Sequence, residues 1–88
     1  MRQLVILSSF DRDWKRLSTN VREKVRPHLF ALQKIPFPFR GLDIAKLSGT
    51  KPALFRLRVG DYRVIFSFSV TTVTLFAIGH RKDIYRGF

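Results

Sequence analysis

Eighty-eight residues, 45% of them hydrophobic and nine of them Phe, make one small domain with one modest core and exclude a disordered chain. Seventeen Lys and Arg against six Asp and Glu leave a formal net charge of +11, which opposes compaction and favours a polyanionic partner such as nucleic acid, a ribosome or an acidic protein. With no Cys there is neither a disulfide framework nor a thiolate metal site, and no apolar run approaches the roughly 18 residues that span a membrane.

Leu4-Val5-Ile6-Leu7 is a short apolar run with β-branched residues, which predicts a buried strand. It is too short for the apolar core of a signal peptide, and Asp11 and Asp13 follow at once, so a cytoplasmic location is expected. Ser8 and Ser9 offer helix caps, and Phe10, Trp14 and Leu17 recur at helical spacing, predicting a helix over 9–18. Asn20 with Glu23 resembles a capping box that opens a second helix. Val21, Val25, Leu29 and Leu32 form its apolar stripe. Pro27 lies within that stripe and marks either a kink or the start of a shorter helix. The stretch 36–53, with Pro, Gly and Ser, reads as a long connection of the kind that often carries function. Three strands then follow at 54–59, 62–69 and 72–80, the first two joined by the hairpin signal Gly60-Asp61. The order β-α-α-β-β-β predicts a single α+β domain over 1–88, with an antiparallel sheet packed on an N-terminal helical hairpin.

A two-residue hairpin loop sets Val59 opposite Tyr62. Phe55, Leu57, Val59, Tyr62, Val64, Phe66 and Phe68 then share one apolar face, and Arg56, Arg58, Arg63 and Ile65 share the other. Arg58 falls directly opposite Arg63, a like-charge pair that destabilises a sheet. A local rule broken without local gain tends to mark a functional site, although arginines decorating a solvent-facing sheet are the plain alternative. If Thr71-Thr72 is the next loop, Val70 faces Val73, Arg63 faces His80 and Ile65 faces Ile78. The non-core face then has a cationic end with Arg56, Arg58, Arg63 and His80, and an apolar end with Ile65, Phe76 and Ile78 awaiting the C-terminal tail or a partner peptide.

No carboxylate cluster or His/Asp spacing suits a metal, and no cofactor is expected. Metal-free RNA cleavage needs no external nucleophile, since the ribose 2′-OH attacks the adjacent phosphate. Arginine forks suit phosphate oxygens, a histidine suits proton transfer, and a tyrosine can stack on a base or orient a hydroxyl. Arginine is too basic to act as a general base, so if the chain cleaves RNA His80 is a better base candidate than the arginines.

Along nearly its whole length the chain resembles the RelE/ParE superfamily of toxins from type II toxin–antitoxin modules, on its RelE-like branch. The resemblance is carried by Lys46-Leu47-Ser48-Gly49, by Phe55 to Ile65, and by Gly79-His80-Arg81-Lys82-Asp83-Ile84-Tyr85. It implies a microbial-ribonuclease-like fold, cleavage of mRNA on the ribosome, and an antitoxin that wraps the toxin. By resemblance Arg63 contacts the scissile phosphate, Arg81 and Tyr85 join His80 in catalysis, and Lys46, Arg56, Arg58, Lys82 and Arg86 bind RNA. The antitoxin is expected to bring an acidic amphipathic segment, and operator DNA is expected as a partner only jointly with it. A non-enzymatic ParE-like inhibitor of DNA gyrase on the same fold, and a degenerate module that only binds its antitoxin, are the alternatives.

Overall fold

The chain runs through β1 (Gln3–Ile6), α1 (Ser8–Lys15), α2 (Thr19–Lys34), β2 (Ile44–Lys46), β3 (Phe55–Val59), β4 (Tyr62–Phe68) and β5 (Thr72–His80), and closes in a 3₁₀ turn over Ile84–Gly87. This computed structural model describes residues 1–87, with side chains as far as Tyr85. The expected α+β fold is present, with both helices on one face of a five-stranded sheet of order β1-β5-β4-β3-β2.

The sheet is mixed rather than antiparallel. β1 lies parallel to β5, pairing Gln3 with Thr72 and Ile6 with Leu75. The helical hairpin carries the chain away from β1, so no tight turn dictates an antiparallel neighbour, and the strand docks beside the last one. It forms an edge of the sheet and is not the buried strand its sequence predicts, since Val5 is 37% and Ile6 53% exposed. The segment 36–53 likewise proves more than a connection. Ile44–Lys46 forms a short edge strand against Phe55–Leu57, too brief to display a period of its own.

α1 ends at Lys15, earlier than predicted, and the amides of Arg16 and Leu17 turn back to the carbonyls of Asp13 and Trp14. The N-cap of α2 lies two residues before the expected one: it is Ser18, not Asn20, and its Oγ accepts the Val21 amide at 3.3 Å. The helix runs on through Pro27, which lies on the exposed side while Val25, Leu29 and Leu32 are buried. The carbonyl that Pro27 leaves without an amide therefore faces water, which limits the penalty. The far end of α2 is tied to the N-terminus. The Arg2 guanidinium donates to the carbonyls of Leu32, Ile35 and Ser69, and lies 5.0 Å from the Phe39 ring centre, so one cation closes a helix end and a strand end together.

The main core lies between helices and sheet. Phe10, Val25, Leu29 and Leu32 meet Leu57, Val64, Phe66, Val73, Leu75 and Ile78 there, and Phe39 from the Pro-rich segment completes it. A second cluster of Leu54, Ile65, Ala77 and Ile84 covers the opposite face. The apolar end of that face is thus closed by the chain's own tail and by the loop before β3. It is built from Ala77 where the sequence register expects Ile78, which belongs to the main core.

Candidate functional site

The β3–β4 hairpin has the predicted register, Val59 opposite Tyr62 and Arg58 opposite Arg63. Gly60 sits at φ 59°, the left-handed conformation this turn requires and glycine adopts without cost. The like-charge pair is therefore real, and the structure supplies its counterweight. Asp43, just ahead of β2, accepts from Arg58 Nε at 2.7 Å and from Arg56 Nη2 at 3.3 Å, while its backbone carbonyl takes the Arg58 amide. Across the sheet the residues run Asp43, Arg58, Arg63, Gly79, so the outer row alternates an anion, two cations and a residue without a side chain.

The β4–β5 register departs from the prediction. The loop is 69–71 rather than Thr71-Thr72: the Ser69 amide bonds the Thr72 carbonyl, and Ser69 Oγ accepts the amides of Thr71 and Thr72. A β-bulge then adds one residue to β5, so Ile65 pairs with Ala77 while Phe66 pairs with Leu75. These two changes move Phe68 opposite Val73, Arg63 opposite Gly79 and Tyr62 opposite His80. His80 consequently does not share the outer face with Arg63. It stands on the helix-facing side against Tyr62, ring centres 5.5 Å apart and edge to face.

Several predicted residues nevertheless meet at one end of the sheet. Arg63 Nη1 donates to the carbonyls of Gly60 and Tyr62 at 2.9 and 3.0 Å. Arg81 reaches the same turn: its amide bonds the Asp61 carbonyl at 2.7 Å and its guanidinium lies 3.7 Å from the Asp61 carboxylate. Arg58, Arg63 and Arg81 thus surround the Gly60-Asp61 turn, and His80 is next in line on β5. The Lys82 amide donates to His80 Nδ1 at 3.2 Å, so in the neutral ring the proton resides on Nε2. Lys82 and Tyr85 are exposed in the tail, and Ile84 anchors that tail over Ile65 and Ala77. A Cβ built on Gly79 would lie 3.3 Å from Ile84 Cδ1, so a side chain there would press on the tail and Ile84 would have to shift by a few tenths of an ångström.

Lys46 does not join this group. It pairs with Phe55, which faces the helices, and so lies off the face of Arg56, Arg58 and Arg63. The side chain of Arg86 lies outside the described residues. Sequence reasoning missed the acids: Asp43, Asp61 and Asp13, half of the six carboxylates in the chain, each engage the end of the sheet where the cations gather. Asp61 was legible from its place in the hairpin turn, whereas Asp43 had no signal once β2 went unseen.

The Asp43 bridge spans partly exposed groups, so its net stabilisation is under about 1 kcal/mol. Asp43→Ala is expected to lower stability by about that amount at low salt, because it also leaves Arg58 facing Arg63 without an anion. The difference should shrink as screening rises. Urea unfolding at two ionic strengths measures this, and a salt-independent loss would assign Asp43 a role other than charge compensation.

The sequence model of the ParE toxin of the type II toxin-antitoxin system, parDE, matches residues 4–85. Among solved structures, the RelB-RelE antitoxin-toxin complex from Methanococcus jannaschii is similar at 26% identity and a TM-score of 0.78, covering 96% of this chain and 98% of that one. The archaeal RelE-RelB complex from Pyrococcus horikoshii OT3 follows at 25% identity and TM-score 0.74, over 93% and 97% of the two chains. The E. coli DinJ-YafQ complex shares the fold at 16% identity and TM-score 0.68, over 97% and 99%. Comparison with curated protein sequences returned no match.

Proposed function

This chain belongs to the ParE toxin family of type II toxin–antitoxin systems, and on that premise we propose that it is a metal-independent endoribonuclease that cleaves mRNA on the ribosome. The observation carrying this reading is the gathering of Arg58, Arg63 and Arg81 around the Gly60-Asp61 turn, with His80 adjacent on β5. Arg63 spends Nη1 on its own turn, and its remaining donors have the fork geometry that grips two phosphate oxygens. Arg58 and Arg81 add charge where the phosphorane develops. His80 takes a different part from the base its sequence suggests. With Nδ1 occupied by the Lys82 amide, the neutral ring presents Nε2–H as a hydrogen-bond donor to a phosphorane oxygen, while the proton lost by the 2′-OH and the one taken up by the departing 5′-oxygen exchange with water. Tyr85 offers a ring to a neighbouring base, and Lys82, Arg56 and Arg86 supply backbone attraction.

Primer extension on a defined mRNA held on purified ribosomes tests the reading: cleavage within the A-site codon, undiminished by a metal chelator that leaves the ribosome intact, is expected. The second reading, inhibition of DNA gyrase without chemistry, is favoured by the family model itself, which is that of a ParE toxin. Loss of gyrase supercoiling with no mRNA cleavage would establish it, and inactivity in both assays would leave a binding-only module.

The partner is a cognate antitoxin, as in the RelE-RelB and DinJ-YafQ complexes, and operator DNA is bound jointly with it. Action on the ribosome sets the protein in the cytoplasm. Because the chain's own tail covers the outer apolar cluster, the antitoxin's apolar side chains need another seat. A groove of about 200 Å³ between β1 and the helices, lined by Leu4, Ile6, Trp14, Leu29 and Phe30 with both Arg26 and Asp11 in its wall, supplies one. Ile6→Asp is expected to weaken antitoxin binding at least tenfold by calorimetry. Half-exposed Ile6 should leave the melting temperature of the free toxin nearly unchanged. Unaltered affinity would exclude this groove.

A further inference from the structure

β5 is longer than the strand beside it. β1 ends at Ile6, opposite Leu75, and among the described residues no strand lies on that side from Phe76 to His80. The backbone groups of an edge need partners, and here α1 provides them. The Leu7 amide donates to the Leu75 carbonyl at 3.2 Å, Ser9 Oγ donates to the Phe76 carbonyl at 2.6 Å, and the Ile78 amide donates to Asp13 Oδ2 at 3.2 Å. Ser9 and Asp13 are one helical turn apart on the same face of α1, so a helix stands in for a strand, alternately giving to a carbonyl and taking from an amide. The series continues with the Asp83 amide on the His80 carbonyl.

We propose that Asp13 is a positioning residue for the RNA-cleaving end of the sheet: by holding the Ile78 amide it sets the path of the two residues that follow, Gly79 beside Arg63 and His80 against Tyr62. The inference rests on the cleavage reading above. Several observations support it. The bonds fall just past the bulge that shifts β5 by one residue, where the strand has a choice of register and where a one-residue slip would exchange the faces of Gly79 and His80. Asp13 also borders the groove of about 390 Å³ that His80, Gly79 and Arg16 line between α1 and the tail, so the anchor and the positioned ring share one wall. The carboxylate is spent on backbone, in a chain with cations close by in sequence at Arg12, Lys15 and Arg16; Lys15 pairs instead with Asp11 at 2.9 Å. Residues 73 and 75 are fully buried in the main core and secure the first half of β5 without help from Asp13.

The test compares Asp13→Ala and Asp13→Asn with the wild-type protein, using amide hydrogen exchange, the His80 ring resonances and single-turnover cleavage on the ribosome. Asp13→Ala is expected to speed exchange at Ile78 by at least tenfold while Val64 and Leu75 keep their protection, to move the His80 ring resonances, and to slow the cleavage step about ten- to a hundredfold at near-constant KM. Asp13→Asn keeps an acceptor oxygen, so it should restore exchange protection, ring position and rate to within a few-fold. Protection at Ile78 unchanged in Asp13→Ala, or Asp13→Asn as impaired as alanine, would overturn the proposal. Loss of protection throughout the sheet would overturn it too, as a purely structural role. A wild-type protein that does not cleave defeats the nuclease reading, whereas exchange and ring resonances still report whether Asp13 sets the end of β5.

Discussion

Arg63→Ala is expected to lower mRNA cleavage by about a hundred- to a thousandfold while leaving the fold intact. The size of the effect follows from the chemistry. Electrostatic stabilisation of the phosphorane is the largest contribution a metal-free site can make, and removing one fixed donor from such a site costs about that factor. Arg63 is central in the outer row, between Arg58 and Gly79, and its side chain is oriented by the hairpin carbonyls. The effect on stability is small because two terms oppose each other. The substitution removes hydrogen bonds to the carbonyls of Gly60 and Tyr62, but it also removes the repulsion with Arg58, so a net change within about 1 kcal/mol is expected. Arg63→Lys should fall between the two proteins, since an ammonium supplies the charge without the fork. Single-turnover rates on programmed ribosomes, with urea unfolding alongside, separate these outcomes. A full rate in Arg63→Ala would remove the outer row from the reaction and move attention to the helix-facing side around His80.

Phe39→Ala is expected to be the most damaging single truncation, at about 3–5 kcal/mol. Phe39 is 1% exposed, and its ring contacts Phe66 and Phe68 edge to face at 6.1 and 4.9 Å while the Arg2 guanidinium lies over it. A domain of this size has little stability in reserve, and each kcal/mol corresponds to about 4–8 °C in Tm. Partial unfolding at 37 °C is therefore expected. Phe39 also holds a φ of 63°, which a side chain adopts only at a cost of about 1–2 kcal/mol, so the buried ring must offset that strain. Phe39→Gly, which relieves the backbone, is accordingly expected to be no less stable than Phe39→Ala, the reverse of the usual order. Thermal and urea denaturation of the two variants decide this, and a clearly weaker glycine variant would show that the left-handed backbone is unstrained.

The cationic end of the sheet was legible as far as local rules reach. A two-residue turn permits one pairing, so the placement of Arg58 opposite Arg63 followed from counting along Val59-Gly60-Asp61-Tyr62. Counting failed on β5 because a bulge is not written in the alternation of side chains. The stretch of β5 that includes the bulge is held from α1, whose Ser9 and Asp13 bond the carbonyl of Phe76 and the amide of Ile78. One displaced residue was enough to transfer His80 from the face of Arg63 to that of Tyr62.

The sequence by itself determined the class of fold, the two helices with their buried stripes, the central hairpin and the excess of positive charge. Each of these depends on neighbours within a few residues, through periodicity, turn chemistry and composition. Only the tertiary structure decided which carboxylates balance the arginines, that β1 lies parallel at an exposed edge, that Phe39 leaves a loop to enter the core, and that the tail closes the second cluster. These depend on groups far apart in the chain, Arg2 with Ile35, Asp13 with Ile78, Ile84 with Ile65. Local pattern carries no record of such pairs, since their free energy arises from burial and hydrogen bonding that exist only once the chain has closed upon itself.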